Sequence, residues 1–346
     1  MTTRHKYSKQ LFTQKPGGEL PGIVVAQTEN LQSRFVIQKV LELREQGIAL
    51  QDMAVLFRSS YLSFDLEIEL NKADIPFVKF GGFKFIETAH IKDLVAYLRV
   101  IENPRDAVAW NRILLLVDGV GPRTAEKVIE DIVSRRASVE QDATDTTLPA
   151  FWSQYDSYPD KIRDLFGTLR EISPGHLVPA DKIQQLLTYY EPLFKKRYDD
   201  WNKRRKDLEM FQQIAERYRA LGPFLSDLTL EPANESVTDI TASTADEEKL
   251  ILSTIHSAKG LEWNSVFVIY ALDGRFPSSR AAMSEESMEE ERRLMYVACT
   301  RAKEHLYITY PINIYDRDSG IFVYGPSGRF SGIPENLLDT WDIDEE

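Results

Sequence analysis

The sequence lacks the most familiar phosphate-binding motif of nucleotide hydrolases. None of its 17 glycines is followed by lysine, so the loop G-x-x-x-x-G-K-[ST] is absent. No predicted apolar strand ends in Asp-Glu, an acidic ending that holds Mg²⁺ in many such enzymes. The sequence therefore does not include the usual means of binding the phosphates of a nucleoside triphosphate.

Cysteine is almost absent, and long apolar runs are missing. The single cysteine, Cys299, excludes an internal disulfide framework, and its apolar helical surroundings favour a buried thiol. The five histidines are scattered without metal-ligand spacing. No apolar run approaches ~18 residues, and the first ten residues lack an apolar core, so neither a membrane span nor a signal peptide is predicted. We expect a protein of the reducing cytoplasm.

Positive charge is in deficit. The chain has 42 Lys and Arg against 54 Asp and Glu, a net charge of −12. Such a balance argues against bulk electrostatic attraction to nucleic acid, because the phosphate backbone is itself negative. It leaves room for a local basic track on an acidic body, so the placement of the charges has to decide this point.

Short apolar segments alternate with amphipathic helices at both ends of the sequence. The predicted strands are residues 22–26, 53–57, 77–80, 250–253, 266–271 and 305–309. The predicted helices are residues 30–46 with Asn30 as N-cap, 62–72, 91–101 and 287–301. Strands and helices that alternate at this spacing predict an α/β fold with a parallel sheet wrapped by helices.

The strand pattern stops and later resumes, which indicates an insertion. Residues 22–106 and 246–312 are predicted to form one discontinuous sheet domain. Residues 107–245 between them are helical in pattern, with a polar return linker, and predict an all-helical inserted domain. Polar residues 1–21 are predicted to be a linker, and the acidic end, residues 313–346, a peripheral C-terminal tail.

Two charged segments adjoin predicted strands. Phe57-Arg58 ends the second strand, where a ring can stack on a base and a guanidinium can reach a phosphate. Between residues 253 and 262, His256 and Lys259 suit phosphate contacts, and Glu262 suits sugar hydroxyls. The simpler alternatives are a solvent-facing arginine and a polar loop that leads into a helix.

A third charged segment, residues 289–303, is predicted to be one helix. Its acidic first turns complement the helix macrodipole, and Arg301 and Lys303 lie near its end. An arginine placed near a γ-phosphate stabilises charge during phosphoryl transfer. The alternative is an exposed helix with surface salt bridges. We expect this segment and the 253–262 segment to place their charge at the carboxyl edge of the sheet.

Two further segments have the character of nucleic-acid contacts. Residues 117–129 (VDGVGPRTAEKVI) match a helix–hairpin–helix, in which Gly119 and Gly121 expose N–H groups to a DNA phosphate. The alternative is a structural helical hairpin. Residues 194–207 interleave seven basic residues with two aromatics, a candidate duplex track, although their aspartates favour a solvated helix face.

Four segments, in this order, resemble the second half of the superfamily 1A DNA helicases of the UvrD, PcrA and Rep type. Residues 54–60 (AVLFRSS) resemble motif IV, and residues 81–100 resemble its continuation. Residues 254–263 (TIHSAKGLEW) resemble motif V, and residues 289–304 (EEERRLMYVACTRAKE) resemble motif VI. The resemblance extends over residues 22–311. It implies that the sheet is a RecA-like domain 2A of the P-loop NTPase fold, without the P-loop, and that the helical insertion is domain 2B.

The resemblance also implies roles around a nucleotide. Phe57 takes the adenine-stacking position, which is usually Tyr in the family. Arg58 and Arg301 correspond to catalytic arginines that reach the γ-phosphate across a cleft between domains. Glu262 corresponds to a residue near the ribose. The implied cofactor is ATP with Mg²⁺.

The implied nucleic-acid contacts come from both domains. Thr254, His256 and Lys259 fall in the stretch that follows the backbone of single-stranded DNA. Gly119 and Gly121 fall in the hairpin that can touch duplex DNA. The other implied partners are the protein's own N-terminal RecA-like domain and repair proteins, with no membrane, and the implied location is the cytoplasm in association with the nucleoid.

The family's first RecA-like domain has no counterpart in this sequence. The Mg²⁺ ligands and the catalytic base are therefore expected in an N-terminal domain outside it. We expect the sequence to be a fragment of a longer protein that alone neither hydrolyses ATP nor unwinds DNA. The main alternative is a non-catalytic module from a domain-deficient relative that binds DNA or a repair protein. A nuclease-fused helicase subunit is a third, weaker alternative, because residues 339–346 lack nuclease spacing.

Overall fold

The computed structural model describes residues 17–81, 85–139, 158–229, 248–313, 315–316, 321–322 and 333–344. The chain divides into two compact units. The sheet unit consists of Met1–Lys84 and Glu231–Glu346, and the helical unit consists of Phe85–Leu230.

The described residues form nine strands and ten α-helices. The strands are β1 (Gly22–Ala26), β2 (Met53–Phe57), β3 (Phe77–Phe80), β4 (Leu250–Thr254), β5 (Trp263–Val268), β6 (Ala302–Pro311), β7 (Tyr315–Asp316), β8 (Ile321–Phe322) and β9 (Asp339–Ile343). The helices are α1 (Glu29–Glu45), α2 (Phe64–Lys72), α3 (Ala89–Glu102), α4 (Ala107–Leu114), α5 (Pro122–Val139), α6 (Asp160–Ile172), α7 (Pro179–Arg197), α8 (Trp201–Ala215), α9 (Leu221–Thr229) and α10 (Glu285–Cys299). Short 3₁₀ turns cover Leu50–Asp52, Ser60–Ser63, Phe85–Glu87, Ser279–Met283 and Glu335–Leu337.

The sheet unit is built on seven parallel strands in the order β3-β4-β2-β5-β6-β1-β9. Its central strand β2 lies between β4 and β5, and all five of its residues are buried. A parallel strand covered on both faces needs a continuous apolar run, and MAVLF provides one. The predicted α/β fold with a parallel sheet is confirmed.

Helix starts differ slightly from the sequence prediction. Helix α1 begins at Glu29, and its N-cap is Thr28, whose hydroxyl accepts a hydrogen bond from the Leu31 N–H at 3.2 Å. Asn30, predicted as the cap, lies inside the first turn. Thr and Asn are both favoured at N-caps, so residue type alone does not separate the two positions.

Helix α10 ends earlier than predicted. It stops at Cys299, the Thr300 hydroxyl donates to the carbonyls of Tyr296 and Val297, and strand β6 starts at Ala302. The prediction of one helix over residues 289–303 is therefore wrong at its end. Arg301 lies in the turn between helix and strand, and Lys303 lies in β6.

Part of the predicted peripheral tail belongs to the sheet. Strand β9 pairs in parallel with β1 at the edge of the sheet. The Trp341 ring lies 5.9 Å from the Phe35 ring and 5.8 Å from the Tyr307 ring, measured between centroids. These aromatic contacts fix the strand although its sequence, DTWDI, contains two aspartates and has no continuous apolar run.

The first boundary between the units lies at residue 84, not at 106. Helix α3 packs against α4 and α8 in the helical unit. Most of its residues are buried, including the consecutive run from Asp93 to Leu98, and the sequence pattern does not reveal which unit covers them. The other predicted boundary, at residue 245, lies outside the described residues.

The helical unit is centred on a buried carboxylate. Asp93 of α3 is 1% exposed, and its Oδ1 atom lies 2.7 Å from Arg112 of α4. Its Oδ2 atom accepts hydrogen bonds from the hydroxyls of Tyr190 at 2.7 Å and Tyr198 at 3.2 Å. Burial, and then the adjacent Asp93 carboxylate, raise the pKa of Tyr190 far above its usual value, so this hydroxyl remains a donor. One side chain thus ties together three segments of the unit.

Candidate functional site

The carboxyl ends of β2 and β4 lie side by side in the sheet. Phe57 is in register with Thr254, and the Ile255 N–H donates to the Phe57 carbonyl at 3.1 Å. The Phe57-Arg58 segment therefore adjoins the loop that begins at Thr254. Two of the charged segments selected from the sequence therefore meet at the carboxyl edge of the sheet. Together with Ser278 and Glu291, their residues Arg58, Thr254 and Ser257 form what we call the carboxyl-edge cluster.

Arg58 is held by a buried glutamate of helix α10. Its Nε atom lies 3.0 Å and 3.1 Å from the two carboxylate oxygens of Glu291, and its Nη2 atom lies 2.9 Å from Oε1. The Glu291 side chain is 3% exposed, whereas that of Arg58 is 25% exposed. Ser278 also donates to Glu291 Oε1, at 3.2 Å. Sequence reasoning missed Glu291, because an acidic residue in a Glu-rich first half of a helix has a sufficient explanation in the macrodipole.

Phe57, the predicted adenine-stacking residue, is fully buried at 0% exposure. The Lys79 ammonium lies 5.6 Å from the centroid of its ring. Lys79 also forms a buried ion pair with Glu67 at 2.6 Å, and Ser63 donates to the same carboxylate oxygen. A base could stack on Phe57 only after the residues around the ring rearrange, and the stacking role stays a prediction.

The loop after β4 presents polar groups to solvent. Thr254 Oγ1 accepts from the Ser257 N–H at 3.3 Å, which turns the chain at the end of the strand. His256 and Lys259 are both exposed. Gly81, at the end of the neighbouring strand β3, has φ +82°, and a Cβ atom there would lie 2.3 Å from Thr254 Oγ1. Only glycine permits this close approach between the two strand ends.

Glu262 and Arg301 lie at the opposite edge of the sheet. They precede β5 and β6, and the Trp263 N–H donates to the Arg301 carbonyl at 2.9 Å. Arg301 Nη1 donates to the Leu261 carbonyl at 2.7 Å, and Lys303 pairs with Glu262 at 3.2 Å. The expectation that the two later segments place all their charge at the carboxyl edge is therefore wrong. Strands β5 and β6 start three residues earlier than predicted, so the chain has already crossed the sheet.

Both predicted catalytic arginines bind helix α10. Arg58 binds Glu291 of this helix, and Arg301 Nε donates to the Val297 carbonyl at 3.0 Å. Six positions separate Glu291 from Val297, which corresponds to about 9 Å along the helix axis. The two guanidinium groups are thus anchored on the same helix although they start from opposite edges of the sheet.

Comparison with known proteins places this chain in a family. A family model described as the UvrD-like helicase C-terminal domain matches residues 1–312. The chain belongs to this family. The ATP-dependent DNA helicase PcrA of Staphylococcus aureus (strain Mu50) is 32% identical over 347 residues, 96% of this chain and 46% of the relative. The helicase PcrA of Staphylococcus epidermidis (strain ATCC 35984) is 31% identical over 349 residues, with the same shares. The chain thus spans about half the length of these curated relatives.

The UvrD-like family match confirms the resemblance drawn from motifs IV, V and VI. It also covers the helical unit, since the matched range runs without a break through residues 85–230. The match is to the domain as a whole, and the roles of individual arginines, of the motif V loop and of the hairpin stay predictions.

The predicted hairpin of this UvrD-like domain has the expected backbone. Helices α4 and α5 flank a turn that contains Gly119 with φ +84° and Gly121. A Cβ atom on either glycine would meet nothing within 4 Å, so both face open space. Asp118 in the same turn pairs with Lys196 at 2.7 Å, and this hydrogen bond with the lysine lowers the pKa of the carboxyl.

The basic residues between 194 and 207 are largely ion-paired. The segment contains the end of α7 and the first half of α8, and four of its cations lie within 3.1 Å of carboxylates. The pairs are Lys195–Glu191, Lys196–Asp118, Arg204–Asp200 and Arg205–Glu209. This pairing favours the solvated helix face over the duplex track, because a cation already matched to a carboxylate attracts phosphate less.

The described part of the chain offers neither a metal cluster nor a reactive thiol. No group of three or more His, Cys, Asp or Glu side chains in those residues could hold a metal ion. Burial raises the pKa of the Cys299 thiol to about 11, so the thiol stays protonated near neutral pH. Among the same residues, no helix combines the length and the apolar character needed to cross a membrane.

Proposed function

We propose that this chain is the C-terminal portion of an ATP-dependent DNA helicase. In this proposal it supplies two arginines to the nucleotide, part of the nucleotide site, and part of the track for single-stranded DNA. The observation that carries the proposal is the anchoring of both Arg58 and Arg301 on helix α10 in a chain of the UvrD-like family.

The contacts of the two arginines support a role at phosphates. Arg58 meets Glu291 through Nε and Nη2, which leaves the Nη1 end of its fork available to a ligand. Arg301 binds two neutral backbone carbonyls and the Thr300 hydroxyl. A phosphate oxygen carries full negative charge and a carbonyl or hydroxyl oxygen only a partial one, so a phosphate can replace these neutral partners of Arg301. Phe57 at the adenine and Glu262 at the ribose complete the proposed nucleotide contacts.

The chemistry at the phosphates needs groups that this chain does not contain. ATP with Mg²⁺ supplies the phosphoryl group and the counter-charge, and the metal ligands and base would come from an N-terminal RecA-like domain. Arg58 and Arg301 fit such a site, since they supply positive charge to the phosphates and no carboxylate ligand to the metal. Closure of the two RecA-like domains on ATP would alternate their grip on the strand.

The nucleic-acid contacts of the proposal lie on both units. Thr254, His256 and Lys259 would follow the backbone of single-stranded DNA, because His256 and Lys259 are exposed on the loop after β4 and Thr254 ends that strand. Gly119 and Gly121 would offer N–H groups to a duplex phosphate without reading sequence. Repair proteins are further candidate partners, and we propose a cytoplasmic, nucleoid-associated location.

Binding of single-stranded DNA to the purified chain tests the nucleic-acid part. We expect weak affinity that falls about tenfold between roughly 0.05 and 0.2 M salt, because phosphate contacts release counterions. Lys259→Ala should reduce the slope of log affinity against log salt by ~0.7, the value for one contact on a single strand. Fluorescence anisotropy with a labelled oligonucleotide measures both quantities.

Lys303→Ala is the matched control, since Lys303 is an exposed lysine of the same unit that pairs with Glu262. Its slope should equal that of the unchanged chain. Affinity that persists through ~0.5 M salt would contradict a phosphate-based track. Equal slopes for Lys259→Ala and the unchanged chain would remove Lys259 from it.

The second candidate function is a non-catalytic module that grips DNA through the hairpin. The open space around Gly119 and Gly121 is the observation that favours it. A full-length protein that binds duplex DNA and has no ATPase activity would support the module over the helicase.

A further inference from the structure

Glu291 holds Arg58 in an unusual way for a surface arginine. Three contacts of 2.9–3.1 Å join the guanidinium to both oxygens of one carboxylate. The carboxylate is almost completely buried and comes from an element 233 residues away in sequence. A buried carboxylate is costly unless it is paired, so this contact fixes both partners in one arrangement.

The pairing is side-on, which determines the direction of the guanidinium. Glu291 occupies the Nε and Nη2 side, and the Ser278 hydroxyl donates to Glu291 Oε1 at 3.2 Å. In the part of the chain that the structure describes, Arg58 Nη1 has no hydrogen-bond partner. Since the guanidinium is planar and its donors are rigidly spaced, fixing one side aims the other.

We infer that Glu291 is the positioning residue for Arg58, and that Ser278 in turn orients Glu291. The pair presents the Nη1 donors of Arg58 outward to a phosphate while it keeps the arginine from sampling other rotamers. This inference rests on the proposed function, because it assigns to Arg58 a phosphate of ATP as its ligand.

Positioning has a kinetic consequence that differs from that of simple attraction. Glu291 lowers the local positive charge, so removing its charge should not weaken binding of an anionic nucleotide. The cost should instead fall on the step in which the arginine must be correctly placed, because small displacements of a catalytic group reduce rates strongly.

The test is a double-mutant cycle in the full-length protein that contains this chain. Glu291→Gln keeps the shape and one acceptor but removes the charge. We expect kcat for DNA-stimulated ATP hydrolysis to fall about 10-fold to 100-fold, and KM for ATP not to rise. In an Arg58→Ala background the same change should have almost no further effect, because the two residues act as one unit.

The outcomes separate this inference from the proposed function. If Arg58→Ala leaves kcat unchanged, the proposed role of Arg58 fails and the inference fails with it. Suppose instead that Arg58→Ala lowers kcat, and that Glu291→Gln lowers kcat by the same factor whether or not Arg58 has been replaced. The role of Arg58 then stands, and the positioning role of Glu291 is overturned.

Two further variants serve as controls for the loss of charge at Glu291. Glu290→Gln removes the charge of the preceding residue, which is exposed and pairs with Arg293 in a surface contact at 3.0 Å, and it should leave kcat unchanged. Glu291→Asp keeps the charge on a shorter side chain and should recover part of the loss. If Glu291→Gln does not fold, Ser278→Ala provides the same test with a smaller expected loss, and an unchanged kcat for a folded Ser278→Ala then overturns the positioning arrangement.

Discussion

Replacing Arg301 by alanine in the full-length protein is expected to lower kcat for DNA-stimulated ATP hydrolysis by about 10³-fold. Affinity for single-stranded DNA should stay the same, because the proposed strand contacts lie on the loop after β4, at the opposite edge of the sheet. The physical reason is the loss of a cation that we propose to lie at the γ-phosphate, where charge builds up during transfer. Steady-state ATPase rates and anisotropy of a labelled oligonucleotide provide the two readouts.

Two further variants make the result specific to the guanidinium. Arg301→Lys retains the charge but loses the planar fork, so most of the loss should persist. Arg293→Ala removes an exposed arginine of helix α10 that pairs with Glu290, and it should have no effect. An unchanged ATPase rate in Arg301→Ala would refute the assigned role. A parallel loss of DNA affinity would instead indicate damage to the sheet unit, since Arg301 also binds the Leu261 and Val297 carbonyls.

Replacing Asp93 by alanine is expected to destabilise the helical unit by about 3 kcal/mol. The substitution leaves the Arg112 guanidinium without its carboxylate and the buried Tyr190 hydroxyl without its acceptor. Arg112 is partly exposed and keeps a bond to the Ala89 carbonyl, which places the loss at the lower end of the range for broken buried pairs. Urea unfolding of the purified chain, followed by circular dichroism and by tyrosine and tryptophan fluorescence, measures the change.

Asp118→Ala is the matched control, because Asp118 is an exposed aspartate of the same unit that pairs with Lys196 and Lys161. Ion pairs between exposed side chains contribute little to stability, so the unfolding curve of Asp118→Ala should move little. Since the chain has two units, the transition of each unit has to be followed separately. Equal shifts for Asp93→Ala and Asp118→Ala would show that the buried network does not hold the helical unit together.

The parts of the fold that depend on local pattern could be predicted from the sequence. Strands β1, β2 and β3 were predicted at their observed bounds, because short apolar runs between turns have few other interpretations. Strand β9 could not be predicted, since its stability comes from Trp341 packing on Phe35 and Tyr307, residues far away in the chain. Helix α3 was assigned to the sheet domain for the same reason, because the pattern of its apolar residues does not show which unit covers them.

In the candidate site, too, local patterns could be predicted from the sequence, whereas contacts between distant residues could not. The segments around Arg58, Thr254 and Arg301 could be selected from residue types and spacing. The Arg58–Glu291 contact could not, because no local pattern links residues 233 positions apart. The location of Arg301 just before β6 was missed because the helix that precedes it ends at Cys299, four residues before the end of the predicted charged helix at Lys303.

The central claim is that this chain contributes arginines and DNA contacts to an ATPase whose phosphate-binding half lies elsewhere. The most direct measurement compares ATP hydrolysis, with and without single-stranded DNA, for the purified chain and for the full-length protein. The account predicts DNA-stimulated hydrolysis by the full-length protein and no hydrolysis above background by the chain alone. Robust DNA-stimulated hydrolysis by the purified chain would contradict it.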